Sequence, residues 1–288
     1  MMNHPAELAV HQYLENAKGR GTNMADSTLD KICDDIRAAL VRQFGSDAKR
    51  GKFKPRMSNI GRPTCQLWYD KNKPEAALPR STTFVMNMMI GDIVEAVFKG
   101  LLTEAGVSYE ENEKTSVEFS DGTTVNGTAD ISINGSVDDI KSASDWSYRN
   151  KFESYDTLAR FDDFGYVAQL AGYAKGLDKQ AGGWWVINKA TGDFKYVPAT
   201  GLDIDEECEK INASLKTLKD NIFERCCEEE TEFFRSKPTG NKVLCKTCSF
   251  CDYRKDCWPT LQEKPMIKSK ASSPKVIDYV YIEEKTAH

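Results

Sequence analysis

The chain has no apolar run long enough to cross a bilayer, which argues against a membrane-spanning helix. Its first residues, MMNHPAELAV, lack the basic and apolar regions of a signal peptide, so the expected location is cytoplasmic. It also lacks a surplus of basic charge: 39 Lys and Arg against 44 Asp and Glu leave a net charge of −5. A generic polyanion binder is thereby excluded, and any nucleic-acid site must be a local basic patch helped by metal ions. No G-x-x-x-x-G-K-[ST] loop occurs, so any unwinding of a duplex must come from a partner, such as a helicase or a recombination or replication protein. There is no internal repeat.

What is present fits a globular chain of 288 residues, 40% hydrophobic and 29% charged. Residues 1–26 are polar and read as a flexible N-terminal arm, and residues 259–288 as a polar tail apart from Val276–Ile282. Between them, 27–258 reads as one α/β domain. Ser27 suits an N-cap for a helix with Leu29, Ile32, Ile36, Leu40 and Val41 on one stripe. A second helix is expected at about 83–104, closing at Gly106. Helical pattern returns at about 155–177, strands at Trp184–Asn188 and Phe194–Val197, and an acidic helix from about Asp203 to Phe234.

The most informative stretch lies between the first helices and that return. Asp121-Gly122 and Asn134-Gly135 are two-residue hairpin signals and predict strands at about 115–120, 123–133 and 136–142. Counting outward from Asn134-Gly135 sets Ile133 opposite Ser136, Ser132 opposite Val137, Ile131 opposite Asp138 and Asp130 opposite Asp139, with Thr128 opposite Lys141. Asp130, Asp139 and Lys141 then share one face, while Val125, Gly127, Ala129, Ile131 and Ile133 form the side that packs on a helix. Two opposed carboxylates repel, and a divalent cation with a taste for hard oxygen, Mg²⁺ or Mn²⁺, removes the conflict. A lysine beside such a metal can orient a water and stabilise charge on a phosphate. Asp138 falls on the other face, as a structural or surface residue.

Flanking helices add candidates. Glu95 borders the apolar stripe of Ile90, Ile93, Val94, Val97 and Leu101, and Gln169 and Tyr173 share a helix face at i and i+4. Lys49, Arg50, Lys52, Lys54, Arg56 and Arg62 form a basic run; Tyr148, Arg149, Lys151 and Arg160 follow the hairpin, with Trp146, Tyr148 and Tyr155 able to stack on bases. Nine cysteines in an unsecreted chain point to thiolate–metal chemistry rather than disulfides. Cys245, Cys248, Cys251 and Cys257 form C-x2-C-x2-C-x5-C, a site for zinc or an iron–sulfur cluster; spacing does not choose between them. Cys33, Cys208, Cys226 and Cys227 read as small hydrophobes.

Gly127-Thr128-Ala129-Asp130, a turn, and Asp139-Ile140-Lys141-Ser142 resemble motifs II and III of the PD-(D/E)XK nucleases in their RecB-like form. Gly91-Asp92-Ile93-Val94-Glu95 is similar to the family's metal-associated helix motif, with glutamate where many iron–sulfur members have histidine. Gln169 and Tyr173 match a Q-x-x-x-Y motif, and Cys248-x2-Cys251-x5-Cys257 matches the iron–sulfur spacing, with Cys65 in the place of the upstream ligand and Cys245 an alternative one. The resemblance covers about 58–258. It implies a restriction-endonuclease-like core, a central mixed β-sheet flanked by helices, with the C-terminal cysteine segment packed against the N-terminal region. It implies Mg²⁺ or Mn²⁺ on Glu95, Asp130 and Asp139, Lys141 beside the attacking water, and a [4Fe–4S] cluster, zinc being the alternative. DNA contacts would fall to Gln169, Tyr173, Arg149, Lys151 and Arg62. The implied activity is a DNA exonuclease at single-stranded ends, 5′→3′ by resemblance. A flap endonuclease on the same core and a non-catalytic, metal-stapled DNA-binding adaptor are the rivals.

Overall fold

In the computed structural model, which describes residues 4–17, 24–44 and 53–283, the chain forms two compact units. The first takes Met1–Gly61 and Ser81–Lys216, the second Arg62–Arg80 and Thr217–His288. The continuous domain expected over 27–258 is thus divided, because the segment around Cys65 folds with the C-terminal region.

The first unit is built on five strands: β1 (Glu110–Glu118), β2 (Thr124–Ile133), β3 (Ser136–Ala143), β4 (Gln180–Asn188) and β5 (Phe194–Pro198), hydrogen-bonded in that order. β3 and β4 are parallel and the other pairs antiparallel, so the sheet is mixed, and helices flank it as expected. Asn134 (φ 52°) and Gly135 (φ 79°) make the predicted turn, where both central residues must leave the normal φ range. The register follows from it: Ile133, Ser132 and Ile131 face Ser136, Val137 and Asp138.

Helix α1 (Pro5–Ala17) corrects the expectation of a loose arm. Ala6 and Val10 are buried in a core cluster with Phe98, Leu102, Ile131, Ile133, Ile140, Trp185 and Phe194, and His4 meets the ring of Trp185 edge-on. An apolar i, i+4 pair inside a short polar stretch is enough to dock a helix, although it gives little periodic signal. α2 (Asp26–Phe44) packs on α5 (Thr82–Glu104), with Thr28 Oγ1 donating to Glu104 (2.5 Å) and Gln43 to Asp92 (2.5 Å). Between them in sequence lie α3 (Met57–Ile60) and α4 (Thr64–Asn72). Ser81 Oγ caps α5 by accepting the Phe84 N–H. After β3 come α6 (Tyr155–Arg160) and α7 (Tyr166–Leu177), and α8 (Ile204–Lys219) follows β5.

α8 is shorter than the helix expected to Phe234. It stops before Asn221 (φ 57°), and the chain turns to β-structure. β6 (Glu229–Phe234) and β7 (Lys237–Leu244) form a hairpin whose turn residues, Arg235 and Ser236, both have positive φ without glycine. Two four-residue helices follow, α9 (Lys246–Ser249) and α10 (Arg254–Cys257). β8 (Gln262–Pro265) and β9 (Val276–Tyr281) complete a four-stranded sheet in the order β6-β7-β9-β8, so residues 262–281 are not a tail. Its edge strand β6 carries a buried carboxylate: Glu232 accepts from Thr239 (2.6 Å), Asn241 (2.7 Å) and Tyr279 (2.8 Å), and these bonds keep it ionised against the pull of burial.

Candidate functional sites: a carboxylate–lysine group and a thiolate cluster

The hairpin positions the first group. Main-chain pairing of β2 with β3 ends at Ile131 and Asp138, one step short of the two acids. There the Asp130 side chain replaces the ladder, its Oδ2 accepting the Ile140 N–H (2.9 Å). Asp139 and Lys141 continue along β3 in register with Trp184 and Val186 of β4. Asp139 is 1% exposed; Lys141 Nζ stands 2.5 Å from its Oδ2 as an ion pair, yet neither carboxylate oxygen completes a hydrogen bond of normal geometry. α5 runs over β3 with Gly91 facing Ser142, and one turn on it carries Glu95, paired to the buried Lys99 at 2.6 Å.

Electrostatics tie these residues into one group. Burial, and then the charge of Asp139, push Asp130 up to about 6. Burial also raises Asp139 and Glu95, with Asp130 adding to the shift at Glu95. Burial would lower Lys141, but Asp139 and Asp130 outweigh it and hold the amine protonated. Crowded, half-satisfied carboxylates of this kind suit a hard cation. They do not close on a common point, however. Among the described residues, the one set of three ligand side chains with donor atoms all within 4.8 Å of one another is Cys227, Cys245 and Cys248.

α7 supplies the wall beside the acids. Asp162 accepts the N–H groups of Gly165, Tyr166 and Val167 (2.8–3.0 Å), fixing the start of the helix. Tyr166 then lies with its ring 4.9 Å from Lys141 Nζ, a neighbour the sequence reading missed. Gln169 donates to the Tyr173 hydroxyl (2.9 Å), and Tyr173 is raised by burial and by the charges of Asp139 and Asp130. Gly127 is what admits that ring: a Cβ there would meet Tyr173 Cε1 at 2.5 Å. The β2 row splits its packing accordingly, with Gly127 under Tyr173 and Met57, and Ile131 and Ile133 in the cluster with Phe98 and Leu102.

Other candidates stand apart from this group. Lys151 is 4% exposed, packed over the Tyr166 and Phe164 rings and 3.9 Å from Asp162. It balances the charge that caps α7 and is not presented to solvent, which corrects its reading as a DNA contact. Arg149 is exposed and paired with Asp145 (2.9 Å). Arg62 belongs to the second unit, its Nε buried without a hydrogen-bond partner. Asp138 is structural but not superficial: it is 1% exposed, accepts from Tyr196 (2.8 Å) and Trp185 (3.3 Å), and burial pushes it up to about 7. Lys49, Arg50 and Lys52 lie outside the described residues.

The second group is in the second unit. None of the nine cysteines forms a disulfide. Cys227, Cys245 and Cys248 are placed to hold a metal ion, beside an apolar shell of Leu244, Trp258 and Leu261. Cys65, at the start of α4, donates its N–H to Cys226 Sγ (3.0 Å). α4 is tied to the C-terminal segment by the stacked rings of Tyr69 and Tyr253 (5.0 Å) and the Tyr253–Asp70 hydrogen bond (2.5 Å). Arg225 lies over the Trp258 ring (4.0 Å) and donates to the Cys257 carbonyl (2.6 Å). Hydrogen bonding to Cys226 raises Cys65, while the same pair holds Cys226 down to about 7. Burial pushes Cys227 to about 11 and Cys251 to about 12, and raises Cys248 and Cys257. Cys226 is exposed and Cys227 half-buried among thiols, so they are not the small hydrophobes expected; nor is Cys33, which is exposed, whereas Cys208 is buried. The missed signal was their setting, between Arg225 and Glu228-Glu229-Glu230, which is no place for a core residue.

No family model matches the chain, and no curated protein does. Among solved structures, the crystal structure of SSO0001 is similar with a TM-score of 0.44 and 13% identity, over 80% of this chain and 96% of that one. A likeness at that level says nothing of activity.

Proposed function

We propose that the protein is a metal-dependent deoxyribonuclease acting on DNA ends, with Asp130, Asp139 and Lys141 at its centre and Glu95 beside them. The observation that carries this reading is the Asp139 carboxylate: fully buried, ion-paired with Lys141 at 2.5 Å, and crowded by two further acids. A purely structural acid in such a place would be expected to collect neutral donors and no second acid, as Glu232 does. The donor set is all oxygen, which fits Mg²⁺ or Mn²⁺. Glu95, Asp130 and Asp139 would hold the metal, whose chemistry when bound is to acidify water and offset charge on a phosphate. Lys141 orients the attacking water and steadies the phosphate oxygens, with the Tyr166 ring limiting where its amine can go. Gln169 and Tyr173 border the strand path. Preference for single-stranded ends and 5′→3′ polarity rest on family resemblance.

The thiolate cluster plays a structural part in this reading. Resemblance points to a [4Fe–4S] cluster on Cys65, Cys248, Cys251 and Cys257. A second reading, zinc, is favoured by the grouping of Cys227, Cys245 and Cys248. Iron and acid-labile sulfide analysis of anaerobically purified protein separates them.

Incubation with Mn²⁺ and linear, end-blocked or circular DNA tests the activity. Cleavage of linear DNA alone supports the exonuclease, and cleavage of circular DNA supports the endonuclease. Binding without cleavage in any arm supports the adaptor and removes the catalytic reading, as does a Lys141→Ala variant as active as the wild type.

A further inference from the structure

Helix α2 has two faces with different fates. Its inner face is committed to α5: Thr28 and Ala39 are buried, and Ile32 fills the space left by Gly100, where a Cβ would meet Ile32 Cδ1 at 2.4 Å. Its outer face is apolar and exposed. Leu29 is 45% exposed, Val41 57% and Phe44 58%, and Cys33 is exposed beside them. Cys33, Ile36, Arg37, Leu40, Val41 and Phe44 line an open groove of about 500 Å³ whose walls are almost wholly apolar. Single exposed side chains need no explanation, whereas a contiguous apolar patch marks a surface that meets something.

The spacing of that patch says what it fits. Leu29, Cys33, Ile36 and Leu40 recur at steps of four, three and four, with Phe44 one turn further, the seam by which one helix packs along another. Such a seam is complementary to itself when the second helix runs the opposite way. Antiparallel pairing about a two-fold axis sets Leu29 level with Leu40 of the second copy and Cys33 level with its Ile36, both pairs being centred between Asp34 and Asp35. The same register places charge. Asp30 and Asp34 are exposed along one edge of the seam, like charges one turn apart that repel, and Arg37 is exposed on the same edge. Lys31 is turned away from them, paired with Asp35 and Glu111 (both 2.9 Å). In the antiparallel register Arg37 falls midway between Asp30 and Asp34 of the second copy, and the two-fold axis repeats the contact.

We infer that this face of α2 is a homodimer interface, an antiparallel helix pair made with a second copy of the chain. The helix is already formed and held on α5, so association need not order it. Burial of the apolar seam drives the contact, while Arg37 and the two acids set its direction and register. The contact is short, about four helical turns, so association in the micromolar range is expected. Such an interface uses neither the carboxylate–lysine group nor the thiols, and its presence is independent of nuclease activity.

Sedimentation velocity on the full-length protein over a range of concentrations tests the interface. The wild type should reach twice the mass of one chain. Leu29→Arg should stay monomeric, and Arg37→Asp and the double variant Asp30→Arg/Asp34→Arg should each dissociate at least about tenfold more readily. Their circular-dichroism spectra should match the wild type's, since all four side chains are exposed. Mixing Arg37→Asp with Asp30→Arg/Asp34→Arg should restore a dimer, now with one copy of each. A wild type that is monomeric at every concentration overturns the proposal, and means that another segment of this chain or a different protein covers the face. A dimer that survives Leu29→Arg overturns it equally, as does a mixture no tighter than either charge variant alone.

Discussion

The carboxylate–lysine group and the thiolate cluster solve opposite problems of support. The first is carried by β2, β3 and α5, backed by fully buried Trp184 and Trp185, and its charges are held together by a core that would exist without them. The second is carried by α4, coil and two four-residue helices, and the apolar cluster beside it is made of Leu244, Cys248 and Trp258, each 6–7% exposed. A large hydrophobic core tolerates a strained ionic group, whereas so small a cluster would draw much of its local stability from a bound metal. Removing a residue from the first group should therefore cost activity, and removing one from the second should cost structure.

Lys141→Ala gives the sharpest division: a loss of roughly 10³-fold or more in Mn²⁺-dependent cleavage, with the thermal unfolding curve little changed. Parallel loss of fold would break the contrast. Cys227→Ser comes next, with metal content reduced and unfolding of the second unit shifted down by several degrees, about 4–8 °C for each kcal/mol lost in a unit of this size; calorimetry separates its transition from that of the first unit. An unchanged transition would show that the thiolate unit needs no metal.

Asp138→Asn probes the first unit's tolerance of buried charge. Because folding raises this carboxyl to about 7 from the ordinary value near 3.9, the folded state holds a proton that the unfolded state has lost. Its contribution is therefore full below about pH 4 and is lost as pH rises towards 7, at about 1.4 kcal/mol per unit. Urea unfolding at pH 5 and pH 8 should show the wild type losing ground to the asparagine variant by on the order of 2–3 kcal/mol. Gly127→Ala should have the smallest effect. Its Cβ would displace Tyr173 and Met57 at a cost of about 1–3 kcal/mol, raising KM for DNA more than it lowers kcat.

Legibility in the sequence followed the same division. Asn134-Gly135 announces a turn whose two residues need positive φ, so the register of Ile131, Ser132 and Ile133 could be counted from it. The Arg235-Ser236 hairpin uses the same backbone with residues that carry no such signal, and the acidic pattern before it reads as more helix. Tyr166 was hidden because its place depends on Asp162 capping α7, a contact that no spacing rule reveals. The pairing of Cys227 with Cys245 and Cys248 was missed because it is a long-range closure, whereas C-x2-C-x2-C draws the eye to neighbours.

The division of the second unit between Arg62–Arg80 and Thr217–His288 sets an order in time. A ribosome adding about 5–20 residues each second makes Cys65 and then needs on the order of ten seconds for the 161 residues that separate it from Cys226. β9, which lies between β7 and β8, is made later still. All five strands of the first sheet precede Cys226 in the chain. A nascent chain stopped before Val276 would thus carry every residue of the carboxylate–lysine group while the second sheet still lacked a central strand. Any metal held by the thiols would be delivered in the last moments of synthesis or after it, and oxidation of a waiting Cys65 is the hazard that schedule creates.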